Sequence, residues 1–127
     1  WSWSRGLGDV YKRQVLHECC SDPITGFFRD GFCNTNEYDQ GLHIVCCLID
    51  DNFLQFSFDQ GNDLITPKPE FNFPGLKDGD SWCVCALRWK EAYENGCAPK
   101  IYLRRTNKKV LKLVDLKILK EFALDLE

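Results

Sequence analysis

The side chains best suited to bond-making chemistry in this 127-residue chain are its eight cysteines and two histidines. A nucleophilic cysteine needs a lowered thiol pKa, which a helix N-terminus supplies. Cys83 follows Asp80, a helix-capping residue type, by three positions, so the spacing predicts it in the first turn of a helix. His43 is the candidate base for such a thiol. The competing reading of a cysteine is a small buried apolar group, which suits Cys46, Cys47 and Cys85. His17 reads as an exposed loop residue.

Metal binding is the second chemistry to weigh. Zinc usually takes paired cysteines two to four residues apart, and no C-x-x-C occurs here. Cys83 and Cys85 would point about 200° apart on a helix and could not share an ion. Ligands would have to come singly from Cys19, Cys33, His43, Cys46 and Cys83. Zinc is therefore a candidate cofactor that no spacing demands.

The third is a polar pocket. Arg29, Asp30, Asn62, Asp63 and Arg88 sit in or beside segments dense in turn residues. Arginine grips a carboxylate or phosphate with two parallel N–H groups, while Asn and Asp orient a small ligand. The alternative is loop architecture, with Asp30 and Asp63 as turn caps and the arginines as their ion partners.

These residues must be held by folded elements. With 44% hydrophobic and 13% aromatic residues, the chain can bury a core as a single domain. No apolar run approaches the roughly 20 residues of a membrane span, and no secretory h-region is visible. Residues 1–99 carry 8 basic and 15 acidic side chains, whereas residues 100–127 carry 8 basic and 4 acidic. The acidic bulk argues against a nucleic-acid partner, although Arg88 and two tryptophans have the chemistry to stack bases. Cys19–Cys20 and Cys46–Cys47 are adjacent pairs that bridge only with strain, which points to reduced thiols in a cytoplasmic protein.

Phe73–Gly96 is the segment around which the chain is organised. Ser81–Asn95 is expected to be the central helix, capped by Asp80 and stopped by Gly96, with Trp82, Cys85, Ala86, Trp89 and Tyr93 on one stripe. His43–Ile49 reads as a buried strand, followed by a helix over Asn52–Gln60 capped by Asp50 or Asp51 and stopped by Gly61. Asn62–Asp80 holds Pro67, Pro69 and Pro74 and reads as a long ordered loop pinned by Phe71, Phe73 and Leu76. Lys100–Arg105 and Val110–Val114 read as strands, and Asp115 caps a last helix whose inner face is Leu116, Leu119, Phe122, Ala123 and Leu126. Val15–Leu42 reads as loop-rich, with turn signals at Asp22-Pro23, Thr25-Gly26 and Asp30-Gly31.

Asp9–Gln14, DVYKRQ, resembles the translation of a transposase mosaic-end sequencing adapter. Residues 1–14 are accordingly read as a non-native arm, and residues 15–127 as the domain. Within the latter, DPITGFFRDG, GLHIVC, FLQFS, GNDL, FPGL and GDSWCVCALRW resemble the small bacterial family known as domain of unknown function 2237. The resemblance runs from Cys19 to Leu116 and implies a standalone cytosolic domain, with no activity assigned. Cys47 stands where the family usually has Ala. Asn107 stands where a His usually follows a Thr, which leaves open any role of that His in relatives.

The expected fold is one α+β domain: a small, mostly antiparallel sheet packed by about three helices, with the long proline-containing loop. The expected function is binding of a small polar or anionic ligand by Arg29, Asp30, Asn62, Asp63 and Arg88. The alternatives are a Cys83–His43 enzyme and a structural zinc domain.

Overall fold

A computed structural model of the protein describes residues 16–20, 25–71 and 73–125. The arm at 1–14, the Asp22-Pro23 turn and Leu126 lie outside them. The elements run β1 (His43–Leu48), α1 (Asp51–Asp59), β2 (Ser81–Cys85), α2 (Ala86–Glu94), β3 (Lys100–Ile101) and α3 (Leu116–Phe122). One antiparallel sheet of three strands is ordered β2-β1-β3. The expected α+β class holds.

β1 takes the centre because its sequence, HIVCCL, is apolar on both faces, and Ile44 to Cys47 are fully buried. A buried strand must pair its backbone on both edges. That demand explains the main correction to the sequence reading: Ser81–Cys85 is a strand, and the helix starts only at Ala86. The run SWCVC fits a helical stripe and a two-residue alternation equally well, and the unpaired edge of β1 decides between them. Asp80 accordingly caps no helix; its carboxylate accepts the Lys77 amide in the turn before β2. Both tryptophans of the segment are buried all the same, Trp82 against Phe73 and Trp89 between Tyr93 and Phe122.

The helix ends follow their local signals. Asp50 accepts the Phe53 amide at 2.7 Å, and Asp115 accepts that of Lys117. Gly61 and Gly96, at φ 88° and 74°, reverse the chain after α1 and α2. After α2, Gly96 N–H donates to Tyr93 and Cys97 N–H to Ala92, so two orphan carbonyls are satisfied.

Two expected strands shrink or vanish. Only Lys100–Ile101 pairs with β1; Leu103–Arg105 and Lys108–Lys112 are 3-10 turns. Side chains supply what a ladder would have: Asp125 accepts the amides of Leu103 and Arg104, Thr106 accepts that of Cys46, and Asn107 that of Lys109. In the long loop Phe73 and Leu76 are buried as expected. Phe71 is 65% exposed on the turn Pro69–Phe71 and pins nothing.

Candidate functional site

Strand pairing decides which cysteines meet. Cys46 lies opposite Cys83 in the β1–β2 register. Cys19 bonds to Cys46 and Cys33 to Cys83, giving two disulfides side by side in a fully buried cluster. Four of the eight thiols are thus oxidised, against the expectation of reduced cysteines throughout. That expectation rested on strain between chain neighbours. The structure avoids it by bonding each cysteine to a distant one and turning Cys47, next to Cys46, into the main core. Cys83, the expected nucleophile, has no free thiol in this arrangement, and it lies mid-strand rather than at a helix N-terminus. Four of the five expected zinc-ligand candidates converge here (Cys19, Cys33, Cys46 and Cys83), while His43 lies elsewhere.

Cys47 is buried in the main core, and desolvation pushes its thiol well above the ordinary range, with Asp50 adding to the shift. Native protein is therefore expected to leave Cys47 unalkylated by iodoacetamide at pH 8 while the half-buried Cys20, Cys85 and Cys97 react; mass mapping of modified peptides checks this.

Beside the cysteine cluster lies a cleft of about 580 Å³. The structure brings Arg29, Asn62, Asp63, Arg88 and His43 to its lining, together with Lys68. Asp30 is not among the lining residues; its carboxylate caps the Phe32 amide in an exposed turn. Asp63 lines the cleft but is also a turn cap, accepting the amides of Ile65 and Thr66 at 2.9 and 3.0 Å. A hydrogen bond from the Thr66 hydroxyl, and after it those from the Thr66 and Ile65 amides, hold its carboxyl below the usual carboxylate value, with a smaller contribution from Lys68. The loop therefore gains stability from Asp63 above the ordinary carboxylate range and loses it as pH falls below that range.

The floor and walls are aromatic: Phe27, Phe73 and Trp82, with Phe71 at the edge. Arg29 holds its guanidinium 5.2 Å from the Trp82 ring centre and donates to the Gly26 carbonyl. It does so from a backbone at φ 55°, a region that costs a non-glycine residue energy. Leu42 is the other non-glycine residue at positive φ among the described residues, at 50°, and it directly precedes His43. Strain of this kind persists only where the surroundings over-determine it, and here both instances bear on the cleft. Arg88 reaches Glu91 at 3.3 Å and the Gln60 carbonyl at 3.4 Å.

His43 is placed by two devices. Its ring Nδ1 is 2.7 Å from Asp39 Oδ1, and Asp39, 2% exposed, also accepts the His43 amide and the Thr35 hydroxyl. The β1–β2 register then slips between His43 and Val45, leaving Ile44 as an extra residue. Such a bulge turns the side chains that follow to the other face. Without it His43 would project away from Cys46 and Cys83; with it His43 lies opposite Cys85 on their face of the sheet. Sequence reasoning missed Asp39 and set Cys85 aside as core. One signal was available: an aspartate four residues before the internal histidine, with a glycine between them.

A family model described as "Uncharacterized protein conserved in bacteria (DUF2237)" matches residues 9–123. The match begins inside the segment read as a non-native arm. No curated protein matches the chain. Among the described residues no helix is long and apolar enough to cross a membrane.

Proposed function

The chain belongs to the DUF2237 family, and on that premise we propose that the domain binds a small anionic molecule with an apolar or planar body in the cleft beside β2. One observation carries this reading. Among the described residues, Arg29, Lys68 and Arg88 share a lining with a single acid, Asp63, whose carboxylate already caps its own turn. The cations supply the grip on a carboxylate or phosphate, and Trp82 and Phe73 supply the face for its body. Phenyl phosphate is a suitable probe. Calorimetry should show binding to the wild type, and Arg29→Gln with Arg88→Gln should weaken it 10-fold to 100-fold, since a charge-assisted hydrogen bond contributes roughly 1.5–3 kcal/mol. Equal affinity for the double variant would remove the reading.

The buried cysteine cluster favours a second reading, concerning metal rather than ligand. The sulfurs of Cys19, Cys33 and Cys46 lie within 4.8 Å of one another, and Cys83 is bonded to Cys33. In a reducing cytosol, the compartment expected from the sequence, these four thiolates hold one tetrahedral zinc in place of two bridges. Protein purified under reducing conditions with zinc supplied should contain one zinc per chain, and Cys33→Ser with Cys46→Ser should abolish it. Four alkylatable thiols and no metal would contradict this.

A further inference from the structure

We propose that Cys85, His43 and Asp39 form a nucleophile, a base and its positioning residue, and that they cleave a small anionic ester or thioester at the end of the cleft nearest α2. The inference rests on the cleft reading only for the grip on the substrate's anionic end.

The first support is the paired carboxylate and imidazole. A buried Asp39 that accepts Nδ1–H of His43 fixes the ring tautomer and leaves Nε2 as the proton acceptor. The His43 side chain is 44% exposed and lines the cleft, so Nε2 chemistry is accessible there. Phe27 stacks on the ring at 6.5 Å, which limits its rotation.

The second support is the position of Cys85. It is the register partner of His43 and is among the free cysteines. It is also the N-cap residue of the nine-residue helix α2. Its side chain makes no capping bond, and no acidic residue occupies the first turn. The positive end of the helix therefore acts on the thiol with no carboxylate in the first turn, Glu91 further along α2 being paired with Arg88. The charged side chains lining the same cleft are Arg29, Lys68 and Arg88 against Asp63, with Arg88 paired to Glu91 and His43 to Asp39. The helix-terminal cysteine that the sequence suggested thus exists, two residues further on than Cys83.

Gly41 supplies the third. A β-carbon there would stand 2.9 Å from Cε1 of His43 and 3.5 Å from Sγ of Cys85. Both reacting side chains therefore border one small space, which glycine keeps open. In the resting state the Cys85 thiol donates to the Gly41 carbonyl, a bond it exchanges for His43 as the reaction begins.

The chemistry balances without an added cofactor. His43 Nε2 takes the Cys85 proton. The sulfur attacks the carbonyl carbon, the new S–C bond forms, and the bond to the alcohol or thiol leaving group breaks. The imidazolium returns its proton to that group. Water, losing a proton to the same nitrogen, then cleaves the acyl–sulfur bond; the imidazolium returns that proton to the sulfur, and the released carboxylic acid loses its own to solvent.

The test uses the full chain with the mono-4-nitrophenyl ester of succinate. The wild type should release a burst of nitrophenolate equal to the protein concentration, with one succinyl group on the Cys85 peptide. Cys85→Ser should lose the burst. His43→Gln should slow acylation roughly 100-fold and move the pH profile of iodoacetamide alkylation at Cys85 towards that of Cys97. Gly41→Ala should slow acylation while leaving phenyl phosphate binding unchanged. An alkylation rate and profile at Cys85 that match Cys97 and ignore His43→Gln, with no succinyl adduct, would overturn the inference. Phenyl phosphate binding that survives in that case leaves the cleft reading standing. Acylation of Cys85 with no phenyl phosphate binding would overturn the cleft reading alone.

Discussion

Trp89→Ala is expected to lower the unfolding free energy by about 4 kcal/mol, because a fully buried indole leaves both a cavity and lost transfer energy. Trp89 stacks on Tyr93 at 5.9 Å, meets Phe122 edge-on at 5.3 Å, and donates from Nε1 to the Pro99 carbonyl at 3.2 Å. It therefore ties α2 to α3 and to the segment entering β3. Truncation also strands a buried carbonyl, which costs about 1–3 kcal/mol. Urea unfolding of Trp89→Ala and Trp89→Phe brackets the effect, the phenylalanine variant losing the hydrogen bond and part of the buried volume while keeping an aromatic ring. A loss below about 1 kcal/mol for the alanine variant would mean that α2 is not seated as described.

The second large effect concerns the disulfides. Cys33 and Cys83 are 50 residues apart in sequence, and Cys19 and Cys46 are 27 apart. Closing such loops stabilises a fold by roughly 4 and 3.5 kcal/mol respectively in the chain-entropy account. Losing both approaches the whole stability of an ordinary domain, about 5–15 kcal/mol. Cys33→Ser with Cys83→Ser should accordingly lower Tm by many degrees, and full reduction without metal should leave the chain close to unfolded. Zinc added to the reduced protein should restore the fold under the second reading above. Circular dichroism on one sample, taken through reduction, chelation and zinc addition, separates these states. Unchanged Tm on reduction with a chelator present would show that neither bridge nor metal holds the cluster together.

The sequence was legible where one local signal had no competitor. β1 is a solidly apolar run ended by a capping aspartate, and Gly61 and Gly96 stop their helices for backbone reasons that need no tertiary partner. Ser81–Cys85 was misread because period alone cannot separate five residues of strand from a first helical turn; the choice is made by β1. The same is true of Leu103–Lys112, where Asp125 and Thr106, remote in sequence from the amides they accept, replace the expected ladder.

The candidate site shows the same division. Residue type was enough to name Arg29, Asn62, Asp63, Arg88 and His43 as polar groups worth watching, and the cleft lining contains them all. Asp30 was named on the same grounds and is a turn cap outside the lining. What could not be read was the face on which each cysteine lies. The misread helix put Cys83 and Cys85 on opposite sides; as strand residues two apart they share a side, and the bulge at Ile44 brings His43 to it. A single inserted residue thus decides whether a thiol stands opposite the imidazole at all, and no composition or spacing rule registers it.

A two-dimensional nitrogen–proton NMR titration with phenyl phosphate addresses the cleft most directly. The account predicts progressive, saturable shifts of the Trp82 indole N–H and of the amides of Arg29, His43, Asn62 and Arg88, with Lys108 to Lys112 unmoved. Shifts confined to that basic C-terminal region, or none at a saturating probe concentration, would contradict it.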